Sequence, residues 1–341
     1  MDTLPAPAFR ILVNNKDISP VLRPRLVSLN LSENGEDEAD RLDITLDDTD
    51  GKLELPSLGV SIQVAIGWKN GPMYDKGTFI VSGISYNGAP DTLTLHARSA
   101  NLTDSLKTLQ EQSYHDTTLG AILELIARRN GLTAGIADNL RNRKIRHIDQ
   151  TGESDAAFLR RLGKQFDAVA TIKNNTLLFI LKTQSKTVSG KDLPVISIER
   201  QHGDAYTFTV DKRDEYTGVR AYWHNPKKAH RESVVAGLSR QCKNLKNTYA
   251  SKEEAEEAAK AEWQRLQRGE YRFTMTLAIG RPDLIPQSPV RVSGFKKAID
   301  EMEWVVEKVS NNLENNGYQT TLKLFITNSK KAAMKSNYPN S

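Results

Sequence analysis

Leu42, Ile44 and Leu46 alternate with Asp43, Thr45 and Asp47, the period of two expected of a half-buried strand. "DDTDG" follows, and its Asp50-Gly51 pair is a turn signal because glycine takes positive φ without strain. Beyond Pro56 and Gly59 the alternation returns in Val60, Ile62, Val64 and Ile66, and Trp68 closes the strand. The pattern predicts a hairpin with Ile62 and Val64 turned inward and Gln63 on the opposite face. "GTFIVSGISYN" and "DTLTLHAR" read as two more strands joined by "NGAPD", and "FRILVNNKDI" as a hairpin with Asn14 and Asn15 at its tip. Residues 1–100 thus read as an antiparallel barrel or sandwich.

The period changes in the middle of the chain. "TTLGAILELIARRNGL" places Leu119, Ile122, Leu123 and Ile126 on one helical face, with Gly131 as the stop. "SDAAFLRRLGKQFD" repeats that spacing with Phe158, Leu162 and Phe166, and Ser154 stands where an N-cap belongs. "ATIKNNTLLFILK" is a hairpin turning on Asn174-Asn175, so residues 101–190 form a small α+β unit. Strands resume from 195 in "VISIERQ" and "AYTFTVDKRDEYTGVRAYWHN". A basic segment at 227–246 leads into "SKEEAEEAAKAEWQRLQRG", a helix with Ser251 and Glu254 at capping-box spacing and Gly269 as its stop. The helix is expected to lie on a barrel. "YRFTMTLAIG", "SPVRVSGF", "MEWVVEKVSNNL" and "YQTTLKLFIT" are four further strands, and the tail 327–341 reads as flexible.

Two stretches echo each other. "LPSLGVSIQVAIGW" resembles "LIPQSPVRVSGF", and "FIVSGISYNGAPDTLTL" resembles "WVVEKVSNNLENNGYQTTLKL". Ile84 matches Val309, and Leu93 and Leu95 match Leu322 and Leu324, with a longer loop in the second hairpin. Val290 and Val292 take the part of Ile62 and Val64. Two copies of one strand–turn–strand unit imply two similar barrels. The fold class is α+β, mainly β: barrels at 1–100 and 191–326, an α+β insertion at 101–190, and a helical insertion near 225–269.

Composition narrows the function more than it defines it. With 26% charged and 38% hydrophobic residues the chain is an ordinary globular protein. The start "MDTLPAPAFRILVNN" has no secretory pattern, and the longest apolar run, Leu177–Leu181, is far too short to span a membrane. Cys242 is the single cysteine, so no disulfide forms within the chain and a reducing compartment suits it. A net charge of +5 permits an acidic partner without requiring one. Arg128, Arg129, Arg141, Arg143, Lys144 and Arg146 make the middle basic, but no aromatic is interleaved between Tyr114 and Phe158 for base stacking. Solvated surface or a protein contact fits better than sequence-specific nucleic-acid binding.

Catalytic and metal chemistry find little support. If Asp48 opened a calcium loop, glycine would be needed sixth and glutamate twelfth, whereas Gly51 is fourth and Gly59 twelfth. The six histidines are scattered singly, and no G-x-S-x-G elbow or phosphate-cradling loop occurs. The residues call for no metal and no cofactor, and the reading is non-enzymatic. A peptidoglycan hydrolase and a carbohydrate-binding module are the alternatives.

The ordered series "LDITLDDTDGKLELPSLGVSIQVAIGW", "TLTLHARS", "QRLQRGEYRFTMTLAIGRPDLIPQSPVRVSGF" and "WVVEKVSNNLENNGYQTTLKL" resembles the late control D family over roughly 5–326. These are tail hub proteins of contractile phage tails and R-type bacteriocins, related to the hub part of type VI secretion spikes. The resemblance implies no catalytic residues and no cofactor. It marks Asp43, Asp48, Gly51, Pro56, Gly59 and Trp68 as a shared structural motif. It implies a homotrimer whose barrels form a ring of six, contacting the tail tube protein, the central spike protein, other baseplate proteins and the tape measure protein. The chain would assemble in the host cytoplasm and end in the particle.

Overall fold

The computed structural model describes residues 6–35, 39–100, 104–173, 175–182, 190–210, 216–226, 228–268, 271–314 and 317–326. The tail 327–341, and Asn174, Lys227 and Gly269 among the residues singled out above, lie outside the described residues.

The first body is built from β1 (Pro7–Val13), β2 (Lys16–Asp17), β3 (Leu26–Asn34), β4 (Arg41–Asp47), β5 (Ser61–Trp68), β6 (Met73–Asn87) and β7 (Thr92–Ser99). Asn14 and Asn15 turn β1 into β2 with φ of 49° and 62°. The sheet runs β3-β4-β7-β6-β5-β1, and side chains from all six strands share one core with Leu29, Leu42, Ile44, Ile66 and Phe79 at its centre. Ile62 and Val64 are buried and Gln63 is exposed, as the alternation predicts. The expected hairpin 42–68 is not one. β4 pairs with β3 and β7, while β5 pairs with β1 and β6, so the acidic turn starts a crossover past two intervening strands. Period two sets which face a strand buries but carries no information about its neighbour.

The middle body holds β8 (Leu109–Thr118), β9 (Thr133–Ile136), β10 (Lys144–Ser154), β11 (Ala168–Lys173) and β12 (Thr176–Leu181), with helices Leu119–Arg129 and Asp155–Phe166. Both helices bury the stripes read from the sequence, and Phe158, Leu162, Leu123 and Ile126 are fully enclosed. Ser154 Oγ accepts from Ala157 N–H at 3.3 Å, and Gly131 takes φ +66° past the first helix.

Next come β13 (Ile196–Glu199), β14 (Gly203–Val210), β15 (Gly218–Asn225), β16 (His230–Gly237), β17 (Cys242–Tyr249) and the helix Lys252–Arg268. The insertion expected to be helical also carries a sheet of its own, β16-β15-β17. Its helix does not lie on a barrel. Ala255 and Ala259 pack on Val219 and Ala221 of β15, and Arg268 forms a buried bidentate ion pair with Asp167 of the middle body. Part of the basic segment is spent on this small unit: Lys228 pairs with Glu232 and Lys243 with Glu262, each at 2.9 Å, and Arg231 covers the Tyr222 ring at 4.0 Å.

β18 (Tyr271–Leu277), β19 (Pro289–Ser293), β20 (Trp304–Glu314) and β21 (Gly317–Ile326) complete a second sheet, β14-β18-β21-β20-β19-β13. It has the connectivity of the first with every strand in its place. Val290 and Val292 are buried, as Ile62 and Val64 are. Even the irregularities recur. The ladder slips between Leu26 and Ser28 in β3 and between Gly203 and Ala205 in β14. It slips again between Val81 and Gly83 in β6 and between Val306 and Lys308 in β20. Gly59, at φ +83°, donates to Val81 O, and Gln287, at φ +70°, donates to Val306 O.

Three details depart from expectation. Ile84 faces Leu95 whereas Val309 faces Leu322, so Leu95 corresponds to Leu322, two residues from the match read off the sequence. The second hairpin is longer in its arms, which stay paired to Glu314 and Gly317, and not in its loop. Also, β13 runs parallel to β19 where β1 runs antiparallel to β5.

Candidate assembly surface

The two units are joined edge to edge. β20 pairs with β19 through its first residues and with β3 through its last seven, Lys308↔Asn34 to Glu314↔Ser28, which fuses both sheets into one. Behind this seam lies a buried polar network. Lys76 Nζ donates to Glu33 Oε2 at 2.7 Å, Asn311 Nδ2 reaches the same oxygen at 3.5 Å, and Tyr318 Oη and Thr320 Oγ1 both donate to Asn311 Oδ1 at 2.9 Å. Burial pushes the Tyr318 phenol up, so it stays protonated and can serve as that donor. Trp68 adds a second tie across the units: its Nε1 donates to Gly280 O at 3.1 Å and its ring meets Tyr318 at 5.0 Å. A Cβ on Gly280 would stand 2.4 Å from the Tyr318 ring, so only glycine lets this contact close.

The acidic motif forms a locked turn. Asp48 is 3% exposed; its Oδ1 accepts from Leu53 N–H at 2.9 Å and its carbonyl from Gly51 N–H at 2.8 Å, with Gly51 at φ +64°. Arg25 grips Asp50 with two hydrogen bonds, at 2.8 and 2.7 Å, and this holds the Asp50 carboxyl down at about 2. Pro56 is half-buried in the crossover, and Gly59 is exposed at its end. Asp43 is elsewhere, on the outer face of the sheet. Among the described residues, no group of three His, Cys, Asp or Glu side chains could hold a metal.

The outer face is polar across both units. Thr45 meets Thr94 at 3.1 Å in the first, Thr276 meets Thr321 at 3.0 Å in the second, and Ser32 meets Ser310 at 3.5 Å over the seam. On the same face Asp43 Oδ1 lies 2.6 Å from His96 Nδ1, and His96 Nε2 lies 2.9 Å from Ser85 Oγ. Sequence reading missed this Asp–His–Ser line because its members sit on three strands, at residues 43, 85 and 96. It missed also the stacking of His115 on His147 across β8 and β10. The order is that of a serine hydrolase, but Asp43 and His96 are each 44% exposed on an open sheet, whereas acyl transfer needs a water-excluded site with preorganised oxyanion donors. The line is one more rung of the polar face. Zymography on peptidoglycan is therefore expected to give no cleared band; a band abolished by Ser85→Ala would reverse this conclusion.

A cleft of about 680 Å³ separates the seam from the middle body, and its lining holds two ion pairs, Lys76 with Glu33 and Lys173 with Asp40 at 3.7 Å, beside Asp75, which accepts from Gly77 N–H. No helix among the described residues is long and apolar enough to cross a membrane.

Comparison with known proteins gives concordant matches. The family model described as phage tail baseplate hub (GPD) matches residues 41–317. The chain is 41% identical to the "Probable baseplate hub protein" of Escherichia phage 186, with 94% of this chain and 93% of that protein covered. It is 38% identical to the protein of the same description in Escherichia phage P2, with the same coverage. Among solved structures, the 43 kDa tail protein of prophage MuSo2 from Shewanella oneidensis superimposes with a TM-score of 0.68 at 14% identity, over 93% of this chain and 97% of the other.

Proposed function

The chain belongs to the phage tail baseplate hub (GPD) family, and we propose that, as this structural component of a phage tail, it acts as a trimeric symmetry adaptor between a sixfold tail tube and a threefold central spike. The observation that carries the reading is the doubling of one six-stranded unit within a chain, down to the ladder slips at Leu26/Ser28 and Gly203/Ala205. A threefold body meets a sixfold one without gaps if each of its chains offers two near-equivalent surfaces, set about 60° apart around the axis. The turn at Asp48 and Gly51, with Pro56 and Gly59, shapes the crossover; Trp68 locks one unit to the other, and Asp43 contributes to the polar face. None of these six residues needs a catalytic or metal-binding role, and the protein works without enzymatic activity. The same chemistry suits the R-type bacteriocin setting, with assembly in the host cytoplasm and contacts to tube, spike and neighbouring baseplate proteins.

Light scattering on the purified complex of hub and spike tests this. Three copies of each chain are expected, and any other ratio removes the symmetry argument.

A further inference from the structure

Among the described residues, each chain contains one closed seam between its units and both halves of a second that is left open. In the closed seam β20 pairs with β3. The shared ladder slips identify β6 as the counterpart of β20 and β14 as the counterpart of β3. Among the described residues, β14 has only β18 as a ladder partner, and residues 82–87 of β6 pair only with β7.

Exposure follows the same division. Leu29, Glu33 and Asn311 at the closed seam are 0%, 4% and 1% exposed; their counterparts Tyr206, Val210 and Tyr86 are 44%, 51% and 51% exposed. Exposed aromatic and aliphatic side chains beside unpaired backbone groups are a template for another strand. The same positions inside the chain show what kind of strand fits there.

We propose that the open edge of β6 in one copy of this chain pairs antiparallel with the open edge of β14 in the next copy. Counting from the shared slips, the register is Ile84↔Val210, Ser85↔Thr209, Tyr86↔Phe208 and Asn87↔Thr207, which repeats Val309↔Glu33 to Asn312↔Asn30. The contact is head to tail, so it does not stop at a dimer, and with the threefold rotation of the trimeric reading it closes into a ring. It rests on the trimeric reading above and adds to it the surface and the register. The two seams differ in chemistry: Glu33 and Asn311 at the closed one correspond to Val210 and Tyr86 at the open one, and Leu31 corresponds to Phe208.

Disulfide trapping tests the register. Ser85 and Thr209 stand where Ser310 and Ser32 stand in the closed seam, whose hydroxyls are 3.5 Å apart, within disulfide reach for cysteines. In a Cys242→Ser background, the full chain with Ser85→Cys and Thr209→Cys, oxidised in tail particles, is expected to run as a covalent trimer. Co-produced single variants should give a dimer and nothing larger. Ser32→Cys with Ser310→Cys is the control and should close within one chain. Three-copy hubs that yield no cross-link overturn this seam and leave the trimer standing, as would Ser85→Cys cross-linking to itself. Hubs with another copy number overturn both.

Discussion

Ile62→Asp is expected to abolish the folded first unit and with it any hub. Ile62 is 3% exposed in the core that also holds Val64, Ile66 and Phe79. An aspartate there leaves a carboxylate with no cation and no donor, a cost of several kcal/mol against a total stability on the order of 5–15 kcal/mol. Val292→Asp repeats the experiment in the second unit, where Val292 is 1% exposed. Gln63→Asp puts the same charge on the exposed face of the same strand and should shift stability by no more than about 0.5 kcal/mol. Urea unfolding of the three variants decides: equal midpoints for Ile62→Asp and Gln63→Asp would show that the strand is not buried by alternation.

Lys76→Met should be nearly as damaging, by another route. The Lys76 and Glu33 side chains are 2% and 5% exposed, and the lysine supplies the short hydrogen bond to Glu33. Removing it leaves a buried carboxylate with Asn311 Nδ2 at 3.5 Å as its remaining donor, which costs about 3–5 kcal/mol. The double change Glu33→Leu with Lys76→Met removes both charges and should recover most of that loss. If the double variant melts no higher than Lys76→Met alone, packing and not charge is what the pair provides.

The strands themselves were legible because one face is wet and one dry, so Leu42-Ile44-Leu46 and Ile62-Val64-Ile66 could be read in period two. Strand partners were not, since β4 and β5 are adjacent in sequence yet separated by β7 and β6 in the sheet. The repeat was visible in apolar spacing, but "TTLKLF" offers leucines at two alternate positions, and only the pairing of Val309 with Leu322 fixes which one corresponds to Leu95. β17 escaped reading because "CKNLKNTY" has no sustained alternation; it forms by pairing parallel to β15. The network at the seam drew no attention either. Glu33, Lys76, Asn311 and Tyr318 are ordinary polar residues until the fold brings together positions more than two hundred residues apart.

The seam of β20 and β3 also has mechanical directions. Its hydrogen bonds lie across the strands, seven residue pairs long. A load along the strands shears all the rungs at once and is shared among them. A load across the strands opens the end rung first and then each next one in turn, so the same bonds yield at a far smaller force. A hub that must carry thrust through such a joint is stiff or fragile according to the angle at which the thrust meets β3.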